Sequence, residues 1–299
     1  MTVAAGRRHF LVLTAAAGVG DDFGLAARAA LSADHFCAAL PRRLAPTAIE
    51  IGFVGPLPEG FAAAGILAGA PVDVNVVGVK DRRARLLLAD MDSTIIGVEC
   101  IDELADFAGV KPEVAAITER AMRGELDFDA ALRARVALLR GLPESALEQC
   151  YAERVRLNPG ARTLVRTMAA LGADTALVSG GFTFFTERVA AAAGFARTRA
   201  NRLLAEDGHL TGEVGTPILG RAAKLAALRA FSAEGGFGPE AVLAVGDGAN
   251  DLDMVVAAGL GVAYRAKPAL AAAADARIEW SDLTALLALQ GIPETEWQA

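Results

Sequence analysis

The 299-residue chain has few cysteines, fewer basic than acidic residues, and no long apolar segment. Its three cysteines are far apart and odd in number, which disfavours both a disulfide framework and a zinc cluster. Twenty-nine lysines and arginines against 36 acidic residues give a formal net charge of −7, so no basic field attracts nucleic acid. No uncharged apolar run reaches the roughly 18 residues of a membrane span. We therefore expect a cytoplasmic protein that binds neither nucleic acid nor membrane.

Apolar residues make up 54% of the chain, which is enough for about two domains of roughly 100 to 200 residues each. Apolar runs at 10–14, 48–54 and 72–79, with helical patterns between them, predict a small α+β domain of the ACT or ferredoxin type over residues 1–80. The basic and then apolar stretch 7–17 is also similar to an export signal, but we interpret it as the first strand. This domain could form a homodimer interface or bind an amino acid, although no residue in it identifies a ligand.

From residue 81 to 299 the pattern is that of an α/β domain. The runs Leu86 to Ala89, Thr175 to Val178 and Val242 to Val245 are continuously apolar, as strands buried on both faces are. Long helical patterns separate them, which predicts a doubly wound, Rossmann-like parallel sheet. Residues 100–155 form a mainly helical insert after the first of these strands. We expect this insert to act as a cap over the carboxyl ends of the strands, where such sheets bind ligands.

Acidic residues follow two of the three strands. Asp90 and Asp92 lie two residues apart after the first strand, and Asp247 follows the third in a glycine-rich loop that also holds Asn250. Carboxylates this close repel each other unless a cation or a shared proton is present, and hard oxygen ligands suit Mg²⁺. Each loop alone could be a solvated acidic turn. Together, at strand ends, they predict a magnesium site.

A hydroxyl and a lysine complete this pattern. Ser179 and Gly180 follow the second strand, where a hydroxyl and flexible glycines at a helix start can bind an anion. Lys224 lies in an alanine- and leucine-rich helical pattern; such a lysine is usually solvated, but a bound phosphoryl group would need its charge. Phospho-accepting signalling domains share acids, a hydroxyl and a lysine at strand ends. They lack an acid/base such as Asp92 and lack the helical insert, so we favour an enzyme.

These segments resemble the four motifs of the haloacid dehalogenase superfamily, in order along the chain. The four are Asp90 to Thr94, Ser179 to Gly181, Lys224, and Gly246 to Asp251. Further stretches resemble the phosphoserine phosphatases of that superfamily, so the resemblance covers about residues 85–285. These stretches are 90–105, 117–124, 132–136 and 200–203.

The resemblance implies a magnesium-dependent hydrolysis of O-phospho-L-serine to L-serine and phosphate, the last step of L-serine biosynthesis. Asp90 would be the nucleophile that forms an aspartyl-phosphate. Asp92 would be the general acid and then the general base. The Asp90 carboxylate, the Asp92 backbone carbonyl and Asp247 would hold Mg²⁺, with Asp251 nearby. Another small phosphomonoester is the alternative substrate.

The resemblance also assigns residues to substrate binding. Ser179, Gly180 and Lys224 would hold the phosphoryl oxygens, and Asn250 would help to place the substrate. On the cap, Glu99 would bind the substrate ammonium group and Arg135 its carboxylate. By composition alone, Glu99 and Arg135 would be surface charges. The apolar cap residues Met122 and Phe128 would close over the site, or would simply belong to the core.

Overall fold

The computed structural model describes residues 8–34, 36–55, 57, 65–78, 82–122 and 125–299. The end of the predicted run 72–79 and the side chain of Met122 lie outside this description. The chain forms two main sheets. The first comes from the predicted α+β part of the sequence and the second from the predicted α/β part.

The amino-terminal part of the described chain forms a five-stranded antiparallel sheet. Its strands are β1 (Arg8–Thr14), β2 (Cys37–Ala38), β3 (Arg42–Ala45), β4 (Ala48–Val54) and β5 (Asp73–Gly78). The order is β2-β4-β1-β5, with β3 also paired to β4. This sheet is consistent with the small amino-terminal α+β domain that the sequence predicts. Helix α1 (Asp21–Ala33) buries Ala27 and Leu31 on one face of this sheet, in a core shared with strand residues such as Leu11 and Ile51.

The second main sheet is parallel and has six strands in the described residues. They are β6 (Leu86–Ala89), β7 (Asp174–Phe182), β8 (Arg197–Asn201), β11 (Val242–Gly246), β12 (Leu260–Tyr264) and β13 (Ala276–Ile278). The order is β13-β12-β11-β6-β7-β8, so the chain winds outward from β6 on one side and then from β11 on the other. This confirms the doubly wound Rossmann-like sheet. The winding changes direction between β6 and β11, where a crevice forms at the carboxyl ends of the strands.

Among the described helices between β6 and β7, four lie within the predicted cap at 100–155. They are α2 (Cys100–Phe107), α3 (Lys111–Met122), α4 (Phe128–Ala137) and α5 (Ser145–Arg154). The two linkers of the cap pair with each other, because Ile96 forms an antiparallel bridge with Leu157 and Asn158 N–H donates to the Ile95 carbonyl at 2.8 Å. The cap therefore joins the sheet through two adjacent linkers.

A small hairpin braces the cap from the other side. Strands β9 (Leu203–Glu206) and β10 (His209–Val214) pair with each other, and Leu210 exchanges backbone hydrogen bonds with Gly141 and Leu142 behind α4. The remaining helices surround the parallel sheet. They are α6 (Ala161–Ala170), α7 (Thr183–Ala193), α8 (Arg221–Glu234), α9 (Leu252–Ala257), α10 (Pro268–Ala273) and α11 (Ala285–Leu289).

The two main sheets contact each other directly. Val12 and Val77 of the antiparallel sheet share an apolar core with Leu286 of α11. At the sheet edges, the Asn75 amide of β5 donates to the Arg277 carbonyl of β13 at 3.0 Å and accepts from the Arg277 N–H at 2.8 Å. The domain boundary near residue 80 remains a prediction, because residues 79–81 lie outside the description.

None of the described helices combines the length and the apolar character needed to cross a bilayer.

Candidate active site

The predicted acidic residues meet where β6 and β11 lie side by side. Asp90 follows β6, and Asp247 and Asp251 follow β11. One carboxylate oxygen of each of the three lies within 4.8 Å of the others, and all three side chains are buried. Burial raises the pKa of Asp90 well above its usual value, and the charge of Asp251 raises it further against the opposing effect of Lys224. The fold thus concentrates negative charge at one point.

Among the described residues, the positively charged side chain that contacts this cluster is Lys224 of α8. Its Nζ lies 2.6 Å from Asp90 Oδ1 and 2.6 Å from Asp251 Oδ1. Burial lowers the pKa of this lysine, but the charges of Asp251 and Asp90 outweigh burial and raise it overall. Lys224 is therefore a buried, protonated partner of two carboxylates, and it lies behind Asp90, outside the wall of the cavity described below.

Asp251 organises the loop after β11. Its Oδ2 accepts the N–H groups of Asp247 (3.2 Å) and Gly248 (3.1 Å), and its Oδ1 is held by Lys224. A Cβ at Gly246 would overlap the Asp251 carboxyl, so this position requires glycine. The resemblance implies a supporting role for Asp251 near a metal ion, and that role stays a prediction.

The Asp247 carboxylate is held less firmly. No hydrogen bond from a described residue reaches it, and burial, together with the charges of Asp251 and Glu99, raises its pKa to about 7. The carboxylate oxygens of Asp90 and Asp247 thus lie close together, and the positive charge near them does not balance their negative charge. A hard divalent cation fits such a set of carboxylate oxygens.

Asp92 is fixed by two hydrogen bonds. Its Oδ1 accepts the Cys100 N–H at 2.9 Å, at the start of α2, and its Oδ2 accepts the Ser179 hydroxyl at 3.0 Å. Burial, followed by the charge of Glu99, raises the pKa of Asp92 to about 6. A carboxyl with this pKa can give and take a proton near neutral pH.

The loop after β7 is shaped by close packing and by a buried amide. Gly181 N–H donates to Ser179 Oγ at 2.8 Å, and a Cβ at Gly181 would lie 2.7 Å from Asp92 Oδ2. Asn201 is 2% exposed and donates to the carbonyls of Gly180 (2.8 Å) and Leu219 (3.1 Å). Its Oδ1 accepts the Leu219 N–H at 2.7 Å. Asn201 thus ties two loops of the site together, a role that the sequence analysis missed.

A cavity of about 290 Å³ lies between the parallel sheet and the cap. The predicted site residues in its wall are Asp90, Asp92, Glu99, Arg135, Ser179, Gly180, Asp247 and Asn250. Asn250 Nδ2 lies 3.5 Å from Asp90 Oδ2. The cavity therefore brings together every predicted site residue except Lys224, which contacts it only through Asp90.

The cap contributes an apolar lid and both charge signs to this cavity. The Phe128 ring lies over Gly180 and Gly220, where an added Cβ would come within 3.1 Å and 2.9 Å of the ring. Burial lowers the pKa of Arg135, while the charges of Asp102 and Glu99 oppose that effect. Phe128 thus lines the cavity as the resemblance implies, opposite small residues that leave room for it.

Three further polar residues in the cavity wall were not predicted as site residues. They are Asp102, Thr118 and Lys267. Lys267 is exposed and lies three residues after β12, the neighbour of β11. The general rule that ligands bind at the carboxyl ends of parallel strands would have indicated it, had β12 been recognised.

The sequence and the fold of this chain are similar to those of known proteins. Residues 87–255 match the model of the haloacid dehalogenase-like hydrolase family. The chain is 45% identical over 257 residues to a phosphoserine phosphatase of Streptomyces coelicolor, covering 85% of this chain and 62% of that protein. It is 50% identical over 210 residues to a phosphoserine phosphatase of Albidiferax ferrireducens, covering 69% and 89%. The crystal structure of a probable phosphoserine phosphatase from Vibrio cholerae is similar, with a TM-score of 0.80, 32% identity, and coverage of 96% and 88%.

The parallel sheet, the cap and the four motif loops define a hydrolase of the haloacid dehalogenase type. The chain belongs to the haloacid dehalogenase-like hydrolases and, within them, to the phosphoserine phosphatase family. It spans about three fifths of the length of the Streptomyces relative, at 62%. Phosphatases of this superfamily generally depend on a metal ion, and an acidic cluster of Asp90, Asp247 and Asp251 is present in this chain.

Proposed function

We propose that this protein hydrolyses O-phospho-L-serine to L-serine and phosphate in a magnesium-dependent reaction. The observation that carries the proposal is the composition of one cavity. It has Asp90 and Asp92 at the sheet and, on the cap side, the acid Glu99 with the base Arg135. Phosphoserine offers a phosphate at one end and both an ammonium and a carboxylate at the other. The names of the relatives support this choice of substrate.

In the first step, a carboxylate oxygen of Asp90 attacks phosphorus, and the bond from phosphorus to the serine oxygen breaks. Asp92, with its pKa of about 6, gives its proton to the departing serine oxygen. Its hydrogen bonds to Cys100 N–H and Ser179 Oγ hold it in place for this transfer. The products are L-serine and an aspartyl-phosphate.

In the second step, Asp92 takes a proton from water, and the water oxygen attacks the phosphorus of the aspartyl-phosphate. The bond from phosphorus to the Asp90 oxygen breaks, which releases phosphate and restores the carboxylate. Ser179 and Gly180 are the groups in the cavity wall that we propose hold the phosphoryl oxygens, and Asn250 helps to place them. We propose that Lys224, which contacts Asp90 from outside this wall, holds a phosphoryl oxygen once phosphorus is bonded to Asp90. Phe128 covers Gly180 and so excludes water from one side of the cavity.

Asp90, Asp247 and the backbone carbonyl of Asp92 are the groups that we propose hold Mg²⁺. Their oxygens match the ligand preference of this ion, and Asp251, whose oxygens are already engaged, supports the loop. When bound, the ion supplies positive charge that offsets the repulsion between a carboxylate and a phosphate dianion.

The proposal is tested by measuring phosphate release from three esters in the presence of Mg²⁺ and after its chelation. We expect O-phospho-L-serine to be hydrolysed with the highest kcat/KM, ahead of phosphothreonine and phosphoglycolate, and we expect chelation to abolish turnover. An equal or higher kcat/KM for phosphoglycolate, which has no ammonium group, would reject phosphoserine as the substrate. Full activity after chelation would reject the magnesium assignment.

We also propose that the protein acts in the cytoplasm and that the antiparallel sheet can form a homodimer interface. The free thiols of Cys37, Cys100 and Cys150 support the first point. The edge position of β2 and the 72% exposure of nearby Leu40 support the second. Sedimentation of the full chain over a range of concentrations tests the dimer.

A further inference from the structure

Ser93 lies directly behind the cavity wall and contacts Glu99, which lines it. The Ser93 hydroxyl donates to Glu99 Oε1 at 2.7 Å. Among the described residues, Ser93 is the one whose side chain donates a hydrogen bond to the Glu99 carboxylate. Ser93 itself does not border the cavity. Its hydroxyl therefore fixes one oxygen of Glu99 and leaves the other for a ligand.

The backbone at Ser93 has a conformation that serves this contact. Its φ of 56° and ψ of 0° place it near the left-handed region, which is unfavourable for a residue other than glycine. The Ser93 N–H donates to the Val98 carbonyl at 3.2 Å, which closes the segment between Ser93 and Glu99 into a tight loop. The same conformation brings the hydroxyl to Glu99. A strained residue held by two hydrogen bonds next to a site is typical of a positioning role.

Glu99 is also close enough to affect the reacting groups. Its charge contributes to the raised pKa of both Asp92 and Asp247, and it also raises the pKa of Arg135 against the effect of burial. Glu99 thus lies between the phosphate end of the cavity and the basic residue of the cap. A small displacement of its carboxylate would change where a positively charged group of the ligand is stabilised.

We propose that Ser93 is a specificity-determining positioning residue. By holding Glu99, it directs the free carboxylate oxygen toward substrates that carry an ammonium group near the phosphate ester. The inference rests on the proposed function, since it explains how that site selects an amino-acid ester over an otherwise similar hydroxy-acid ester.

The test uses the full chain with Mg²⁺, O-phospho-L-serine as substrate, and 3-phosphoglycerate as competitive inhibitor. The inhibitor has a hydroxyl group where phosphoserine has the ammonium. For Ser93→Ala we expect the KM for phosphoserine to rise about tenfold, because a hydrogen bond to a charged group is lost. We expect kcat to change less, and the Ki of 3-phosphoglycerate to stay within about twofold.

Two further variants separate the hydroxyl from the strained backbone. Ser93→Gly also lacks the hydroxyl but removes the conformational strain, so it should fold well and show the same rise in KM. In a Glu99→Gln background, Ser93→Ala should cause no additional rise, because the two residues act through one contact.

Three outcomes would overturn the inference. They are an unchanged KM in both Ser93 variants, an equal change in KM and in the Ki of 3-phosphoglycerate, and full additivity of Ser93→Ala with Glu99→Gln. Failure of the proposed function shows itself differently, as a wild-type protein that releases no phosphate from phosphoserine.

Discussion

Buried carboxylates occur in both halves of the molecule, but their surroundings differ. In the antiparallel sheet, Glu50 is 2% exposed and accepts from Arg82 at 2.7 Å on one oxygen and from Arg42 on the other. Asp73 is 5% exposed and accepts the backbone N–H groups of the segment after β13. Each of these carboxylates has a donor for each oxygen.

At the end of the parallel sheet, three buried carboxylates lie together, and the ammonium group of Lys224 contacts two of them, Asp90 and Asp251. Their negative charge exceeds the positive charge within reach, and the pKa values of Asp90 and Asp247 are raised, mainly by burial. A carboxylate whose oxygens are all matched stabilises the fold, whereas an excess of unmatched carboxylates lowers stability until a cation binds. This difference separates structural from functional acids without reference to any relative.

The largest effect on activity is expected for Asp90→Asn. An amide neither attacks phosphorus nor carries the charge that attracts a cation, so kcat should fall by about a thousandfold or more. The fold should be retained, because Lys224 keeps its contact with Asp251. Phosphate release and thermal unfolding measure the two effects. Asp253→Asn, a change of a half-buried acid of α9 that pairs with Arg221 at the surface, is the control, and near-normal turnover by Asp90→Asn would contradict the mechanism.

The next largest effect is expected on stability, for Glu50→Ala. This change leaves Arg82 buried without its acidic partner, although Arg82 still donates to the Leu289 carbonyl at 2.9 Å. Breaking a buried ion pair in this way costs about 3 to 5 kcal/mol, which denaturant unfolding can measure. Glu213→Ala on the exposed face of β10 is the control. A loss below about 1 kcal/mol would mean that the pair contributes no more than a surface ion pair does.

A smaller loss of stability is expected for Asp73→Asn. The amide group offers one accepting oxygen where the carboxylate offers two, and its NH₂ faces the N–H groups of Trp280 and Ser281. One or two unmatched backbone donors should cost about 1 to 3 kcal/mol. Unfolding followed by tryptophan fluorescence checks this value, with Asp207→Asn at an exposed turn as control. Unchanged stability would remove Asp73 from the set of structural acids.

The smallest effect, with the opposite sign, is expected for Asp247→Asn in the presence of a chelator. The pKa of Asp247 is raised to about 7, so its ionised form disfavours folding; this cost is absent below the usual pKa near 4 and complete above pH 7. The variant should therefore be more stable than the wild type at pH 8, by an amount that shrinks as the pH falls toward 5. Added Mg²⁺ should reverse the order. Destabilisation at pH 8 in chelator would show that Asp247 is a structural acid instead.

The sequence predicted the interior of the parallel sheet better than its margins. β6, β7 and β11 are buried on both faces and therefore read as continuous apolar runs. β8 consists largely of polar residues at an edge, and β13 has only three residues, so neither has a pattern that identifies a strand. The helical periodicity of the cap sequence predicts helices at about 101–107, 111–123, 129–140 and 144–155, and the cap helices begin and end close to these positions.

The site was predictable where its residues are adjacent in sequence to strand ends. Asp90, Ser179 and Asp247 follow predicted strands, so topology alone brings them together. The hydrogen bonds of Asn201 to residues 18 and 21 positions away depend on how two loops pack, which no local pattern encodes. The position of Lys224 behind Asp90 likewise depends on side-chain packing between distant elements.

The contact between Asn75 and Arg277 has a consequence for how copies of the chain behave in solution. β13 is the last strand of the parallel sheet, and the outward N–H and C=O of Arg277 would otherwise be open to a strand from another molecule. Open strand edges of this kind are templates for aggregation. The Asn75 side chain takes up both groups from within the same chain. The antiparallel sheet therefore covers the β13 edge of the parallel sheet within the same molecule. This contact keeps a strand of another copy from pairing with Arg277, whether or not the antiparallel sheet also binds a ligand.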